Sequence, residues 1–210
     1  MNWIIANALY NSRDPFGAWD STCISSPKAL EPNHILLLHG GEDISPSIYN
    51  EFPNKYCHAS KTPSKRDAFE LACIDKARKM EIPIVGICRG AQLLCCVDGG
   101  SLLQHLTKHS KYGHHTIQDS ETGEYYRANS AHHQMMRPSA DAVVLASVRE
   151  DTEGYGEDGH EFKFTSCPEV VHFPNLRAIG IQGHPEWMQG STFNQYCLSL
   201  IKQHLTVESI

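Results

Sequence analysis

The sequence predicts an α/β fold built on a mostly parallel central sheet. Three observations carry that expectation. Apolar runs at residues 3–8, 34–38 and 82–87 have strand length and little polar alternation, as strands covered on both faces do. Segments with helical spacing lie between and after such runs, so helix and strand alternate. From Glu124 onward the pattern changes to short strands separated by turn residues, which predicts a mixed extension of the same sheet. A chain of 210 residues is long enough for one full α/β core and too short for two ordinary ones, so residues 1–210 are read as a single domain.

Taken in order, 3–8 is the first buried strand, and 11–32, with Pro15, Gly17 and Pro27, is a polar loop with a short helix. The second strand, 34–38, runs into His39-Gly40-Gly41. A glycine pair there suits either a tight turn or the backbone-to-ligand contact found at the carboxyl ends of parallel strands. After an irregular stretch at 50–63, Ser64 and Asp67 form a variant capping box. The helix they open places Phe69, Ala72, Cys73, Ala77 and Met80 on one apolar stripe and ends before Pro83. Strand 82–87 and helix 91–97 follow, closed by Gly99-Gly100, and 102–106 is a short amphipathic piece. Residues 108–123 are polar and histidine-rich and read as a solvated loop. Strands are expected at 124–128, 142–148, 160–166, 169–173 and 177–182, with an acidic, glycine-rich turn at 151–159. Ser191 caps a closing helix with Phe193, Tyr196, Cys197, Leu200 and Ile201 on one face.

Composition excludes several classes. The net charge of -6 without a basic run argues against nucleic-acid binding. No apolar run approaches the length of a membrane span, and residues 1–6 lack the basic start of a signal peptide, so a cytoplasmic protein is expected. The eight cysteines are scattered without a Cys-x-x-Cys pair, which suits reduced thiols better than disulfides or zinc. His105, His109, His114 and His115 match no metal-binding spacing, so no metal is expected, and no cofactor either.

Two segments carry chemistry. Gly86-Ile87-Cys88-Arg89-Gly90 is a nucleophile elbow with cysteine in the serine position. A sharp strand-to-helix turn there lifts Cys88 out of the sheet, and the helix N-terminus beside it is expected to lower the thiol pKa. The other is Gln182-Gly183-His184-Pro185-Glu186. Pro185 biases His184 toward extended geometry, in which residues two apart share a side, so His184 and Glu186 are expected to project into one site. Cys88 as nucleophile, His184 as base and Glu186 as its orienting carboxylate supply the three roles of a cysteine triad.

Those segments, together with Gly40-Gly41-x-Asp43-x-x-Pro46-x-x-Tyr49, Arg66-Asp67-x-x-Glu70, Gly99-Gly100-x-Leu102-x-Gln104-His105-Leu106 and Asn129-Ser130-x-His132-His133-Gln134, resemble the class I glutamine amidotransferases. Within that superfamily the γ-glutamyl hydrolase branch, which includes the γ-glutamyl-γ-aminobutyrate hydrolases, is the more similar. The resemblance implies a flavodoxin-like three-layer sandwich with a small mixed β extension. It also implies hydrolysis of a small-molecule γ-glutamyl amide through a glutamyl thioester. An oxyanion hole would come from the N–H of Arg89 and the Gly40-Gly41 loop, and Gln92 would help hold the glutamyl group. His133 would line the site, or its segment would serve structure. Arg66, Asp67 and Glu70 read as a salt network at a helix start. A glutaminase subunit passing ammonia to a separate synthase is the alternative and requires a partner chain. A non-catalytic or redox-sensing member of the fold is another, though it needs no His184 or Glu186. The amine leaving group and a homo-oligomeric state are left open by the sequence.

Overall fold

The computed structural model describes residues 3–9, 13–106, 109, 113–148, 152–155 and 161–207. The first half runs β1 (Ile4–Ala8), β2 (Asp20–Ile24), β3 (His34–Leu38), α1 (Lys65–Lys79), β4 (Ile84–Ile87) and α2 (Arg89–Val97). The second runs β5 (Ser101–Leu103), β6 (His105–Leu106), β7 (Gly113–Asp119), β8 (Tyr125–Ser130), β9 (Met135–Arg137), β10 (Val143–Val148) and β11 (Thr152–Tyr155). It continues through β12 (Glu161–Phe164), β13 (Cys167–Phe173), β14 (Ala178–Ile181) and α3 (Thr192–Leu205).

Nine strands form one sheet in the order β2-β1-β3-β4-β14-β13-β10-β7-β8. From β2 to β14 each strand is parallel to its neighbour. From β14 to β8 each is antiparallel. The parallel strands are apolar on both faces because helices cover both. Ile5, Ile35, Leu37, Val85, Ile87, Ile179 and Ile181 pack with Phe193, Cys197 and Ile201 of α3. The alternate residues Ala6, Ala8, Leu36, Leu38, Ile84 and Ala178 pack with Cys73, Ile74 and Ala77 of α1 and with Ala91 and Leu94 of α2. This is the three-layer sandwich, and β4 lies at its centre.

Local signals at the helix starts act as read from the sequence. Ser64 Oγ accepts the Asp67 N–H at 3.0 Å, and Asp67 returns the bond to the Ser64 N–H at 2.8 Å, closing the capping box. Ser191 Oγ accepts the Asn194 N–H at 3.1 Å, and the expected α3 face is buried throughout.

Elsewhere tertiary context overrides the pattern. The buried face of α1 is Arg66, Asp67, Glu70, Cys73, Ile74 and Ala77, while Ala72 of the expected stripe is exposed and Phe69 and Met80 are half-buried. Ion pairing allows charged side chains to occupy the first turns of that face. β2, inside the stretch expected to be loop and short helix, is an edge strand with four exposed residues, so it lacks an apolar alternation to betray it. The short helix there is a single 3₁₀ turn, Pro27–Ala29. Residues 102–106 divide between β5 and β6, and β9 and β11 went unforeseen. The histidine-rich stretch is not a solvated loop: Gly113–Asp119 is β7, His115 is half-buried and His109 is buried. Part of the 151–159 turn and part of the 160–166 strand lie outside the described residues.

Arg89 is buried and ion-paired to Asp67 and Glu70, and Glu70 also holds Arg66 Nε at 2.9 Å. Removing one partner of such a network leaves a buried charge uncompensated. Glu70→Ala is therefore expected to lower the unfolding free energy by about 3–5 kcal/mol in urea denaturation, against a much smaller loss for Asp75→Ala in the exposed pair with Lys79.

Candidate active site

The elbow is built by close backbone approach. Cys88 adopts φ 49 and ψ -106, a sparsely populated conformation for a residue with a Cβ. It is held there by its N–H, which donates to Ile181 O of β14 at 2.7 Å. A Cβ on Gly86 would lie 2.5 Å from the Gly90 carbonyl carbon, and one on Gly90 would overlap the Leu38 carbonyl. Only glycine permits β3, β4 and α2 to meet this closely.

β14 is the parallel neighbour of β4, so the segment leaving it emerges beside the elbow. His184 is kept out of the helical region by Pro185 but, at φ -113 and ψ 82, is not extended as expected. Nor is Glu186 on a continuing extended strand. Pro185–Trp187 is a 3₁₀ turn that curls the carboxylate back, placing Glu186 Oε1 2.7 Å from His184 Nδ1. A Cβ on Gly40 would sit 2.7 Å from His184 Cε1 and 3.4 Å from Cys88 Cβ, so the two side chains converge over the glycine loop after β3. All three expected triad residues thus gather at one end of the parallel strands, with Cys88 and His184 buried.

Other expected residues surround them. The Arg89 N–H hydrogen-bonds the Cys88 sulfur. A Cβ on Gly41, whose φ is +151, would overlap the Arg66 guanidinium. Arg66 donates to the carbonyls of His39 at 2.8 Å and Gly40 at 3.1 Å and thereby sets the loop. The helix-start salt network read from the sequence is real, and it reaches further than the helix. Gln92 is buried and donates to Gln182 Oε1 at 3.2 Å. His133 is half-buried, with Nε2 2.8 Å from Asp43 Oδ1.

Several contributors carried no assigned role in the sequence. Asn129 clamps the His184 main chain twice, accepting its N–H at 2.7 Å and donating to its carbonyl at 2.9 Å. Asn194 donates to Pro185 O at 3.1 Å and fixes the 3₁₀ turn. Trp187 stacks on the His184 ring with centroids 3.9 Å apart and planes 5° from parallel. His39 Nε2 lies 2.9 Å from Asn7 Oδ1. Burial lowers the His39 pKa to about 4 against the raising effect of Glu186, so it is neutral at pH 7. Asn129 stood inside a motif visible in the sequence; nothing local marked Asn194 or His39.

The thiol departs from expectation. Burial pushes the Cys88 pKa up to about 12; the Arg89 N–H lowers it, while the charges of Glu186, Glu169 and Asp43 raise it further. Desolvation of a thiolate outweighs the helix N-terminus. At neutral pH Cys88 therefore carries its proton.

A nine-stranded sheet of this order with an elbow cysteine at its centre defines a hydrolase-type enzyme of the class I glutamine amidotransferase-like superfamily. The chain belongs to the peptidase C26 family, whose profile matches residues 25–154, a span that includes Cys88 and stops short of His184. It is 34% identical over 187 residues to protein NtpR of Enterococcus hirae, covering 75% of this chain and 77% of that protein. It is 30% identical over 208 residues to the γ-glutamyl-γ-aminobutyrate hydrolase of Escherichia coli O157:H7, covering 85% of this chain and 74% of that one. The structure of PurLQS from Thermotoga maritima shares the fold with a TM-score of 0.61 at 16% identity, over 98% of this chain and 100% of that one.

A thiol with a pKa of about 12 is alkylated slowly at neutral pH. Iodoacetamide labelling of Cys88, followed by peptide mass spectrometry, is expected to accelerate by about tenfold per pH unit between pH 7 and 9. A rate already level across that range would show a thiolate preformed in the resting site.

Proposed function

We propose that this chain hydrolyses a γ-glutamyl amide, releasing glutamate and an amine. The observation that carries the reading is the convergence of Cys88 and His184 on Gly40, with Glu186 2.7 Å from His184 Nδ1. The relatives among glutamine amidotransferase-like proteins and the γ-glutamyl-γ-aminobutyrate hydrolase of Escherichia coli support the substrate class.

The steps follow from the groups present. Glu186 accepts the Nδ1–H of His184, which leaves Nε2 as the basic nitrogen. As the Cys88 sulfur attacks the γ-carbonyl carbon, its proton passes to His184, and the C–O π pair moves onto oxygen. The Arg89 N–H and an N–H of the Gly40-Gly41 loop receive that oxyanion. Collapse to the glutamyl thioester expels the amine, which takes the proton from His184. Water then attacks the thioester, giving its proton to His184, and glutamate departs as sulfur regains it. A neutral resting thiol suits this order of events, because no buried thiolate has to be maintained between turnovers. Gln92 and His133 are assigned to the glutamyl end of the substrate. Asn129, Asn194 and Trp187 act on His184 and are positioning residues.

The test is glutamate release from a panel of γ-glutamyl amides and from free glutamine. Cleavage of one amide that vanishes in Cys88→Ala supports the reading and names the amine. Activity on glutamine alone, or only with a partner chain added, would replace it with an ammonia-donating subunit. Gly41→Val is expected to lower kcat by about 10²–10³ through loss of an oxyanion donor; an unchanged kcat in a folded Gly41→Val protein would remove the glycine loop from the mechanism.

A further inference from the structure

A second cluster lies apart from the triad, where β7, β13 and the segments before β7 and after β8 meet. Glu169 of β13 is 1% exposed and faces three imidazoles, those of His109, His115 and His132. The rings crowd together, with centroids 5.0 Å apart for His109 and His132, 5.4 Å for His109 and His115, and 6.2 Å for His115 and His132. A break in strand pairing aims the carboxylate. Between β10 and β13 the register passes from Ala146 opposite Val170 to Ser147 opposite Pro168, so Glu169 has no partner on β10. Such bulges re-aim side chains. Its main-chain carbonyl is meanwhile occupied by the Gln182 N–H at 2.8 Å.

The hydrogen-bond logic of the cluster is incomplete. His132 Nδ1 lies 2.9 Å from the carbonyl of Gln134, which can only accept, so Nδ1 carries the proton. In the neutral ring, Nε2 is then an acceptor, and it points at another acceptor, Glu169 Oε1, 3.4 Å away. His115 Nε2 lies 3.4 Å from Glu169 Oε2. Charge-assisted bonds of this type close to about 2.7–2.9 Å. At 3.4 Å neither the His115 nor the His132 contact with the Glu169 carboxylate meets hydrogen-bond geometry. A carboxylate buried in so dry an interior calls for positive charge beside it.

The separation suits a metal better than a proton. Ligands bonded at about 2.0–2.1 Å to a tetrahedral centre stand about 3.3–3.4 Å from one another, which matches the 3.4 Å between His115 Nε2 and Glu169 Oε2. One ligand atom from each of His109, His115 and Glu169 falls within 4.8 Å of the others. We propose that His109, His115 and Glu169 bind one divalent transition-metal ion of the zinc class. Three protein ligands leave the fourth position of a tetrahedral shell to water. The ion ties β13 to β7 and to the segment before β7, behind the strand that carries His184 out of the sheet.

Cobalt(II) titration of chelator-stripped protein tests this by absorption spectroscopy. One equivalent is expected to bind with the ligand-field bands of a four-coordinate nitrogen–oxygen site and without a thiolate charge-transfer band, and zinc(II) should displace it. Binding should persist in Cys88→Ala and weaken at least ~100-fold in His115→Ala and Glu169→Gln, given that even outer partners of a metal ligand typically count for 10–100-fold. The thermal midpoint of the wild-type protein should rise with zinc(II) concentration. Absence of stoichiometric binding, a thiolate-ligated spectrum, or undiminished binding in folded Glu169→Gln would overturn the assignment. The wild-type titration decides it even where a variant does not fold.

Discussion

The buried charge network centred on Arg89 is the interaction on which the rest of the site depends. Arg89 follows Cys88 directly, and its guanidinium is pinned by Asp67 and Glu70 at the start of α1. Glu70 shares its charge with Arg66, and Arg66 reaches across to the carbonyls of His39 and Gly40. One set of ion pairs therefore joins the capped end of α1, the first turn of α2 and the glycine loop after β3. Buried ion pairs contribute little net stability relative to apolar packing, because desolvation offsets the attraction. What they impose is geometry: each charge has a single arrangement that leaves none uncompensated. The Gly40-Gly41 loop is held in register with the Cys88 elbow as a consequence.

The second constraint is the dryness of the reacting centre. Burial above all, with three carboxylates pushing the same way and the Arg89 N–H opposing, brings the Cys88 pKa up to about 12. A surrounding of that kind resists resting negative charge on the sulfur. Burial also keeps His39 neutral beside Glu186, so that carboxylate answers to His184 without a competing imidazolium. The same low polarity strengthens any hydrogen bond made to a developing oxyanion.

The antiparallel half of the sheet is more than an appendage. Asn129, at the end of β8, holds the His184 main chain at both its N–H and its carbonyl. Tyr196 of α3 reaches Asp119 of β7 at 2.6 Å, fastening the far strands to the helix that packs under the parallel ones. Glu169 and Gln182 connect β13 to the segment that bears His184. His184 is thus positioned from the extension, Cys88 from the parallel core.

By itself the sequence determined the parallel core, the helices with their caps, and the elbow. Those features are written in local physics: buried runs at strand length, a capping box at Ser64, and glycines at 86 and 90 where no Cβ fits. It also brought Cys88, His184 and Glu186 into view, because they sit in two short motifs, Cys88 in one and His184 with Glu186 in the other. Tertiary structure alone decided what depends on neighbours distant in the chain. The buried face of α1 could not be read because its charges are admitted by Arg89, which lies in another element. The ionisation of Cys88 followed from desolvation, a property of everything packed around it and not of the helix that follows it. Histidines with no recognisable spacing met a single glutamate because β7 and β13 flank β10 in the folded sheet, a neighbourhood that sequence distance conceals.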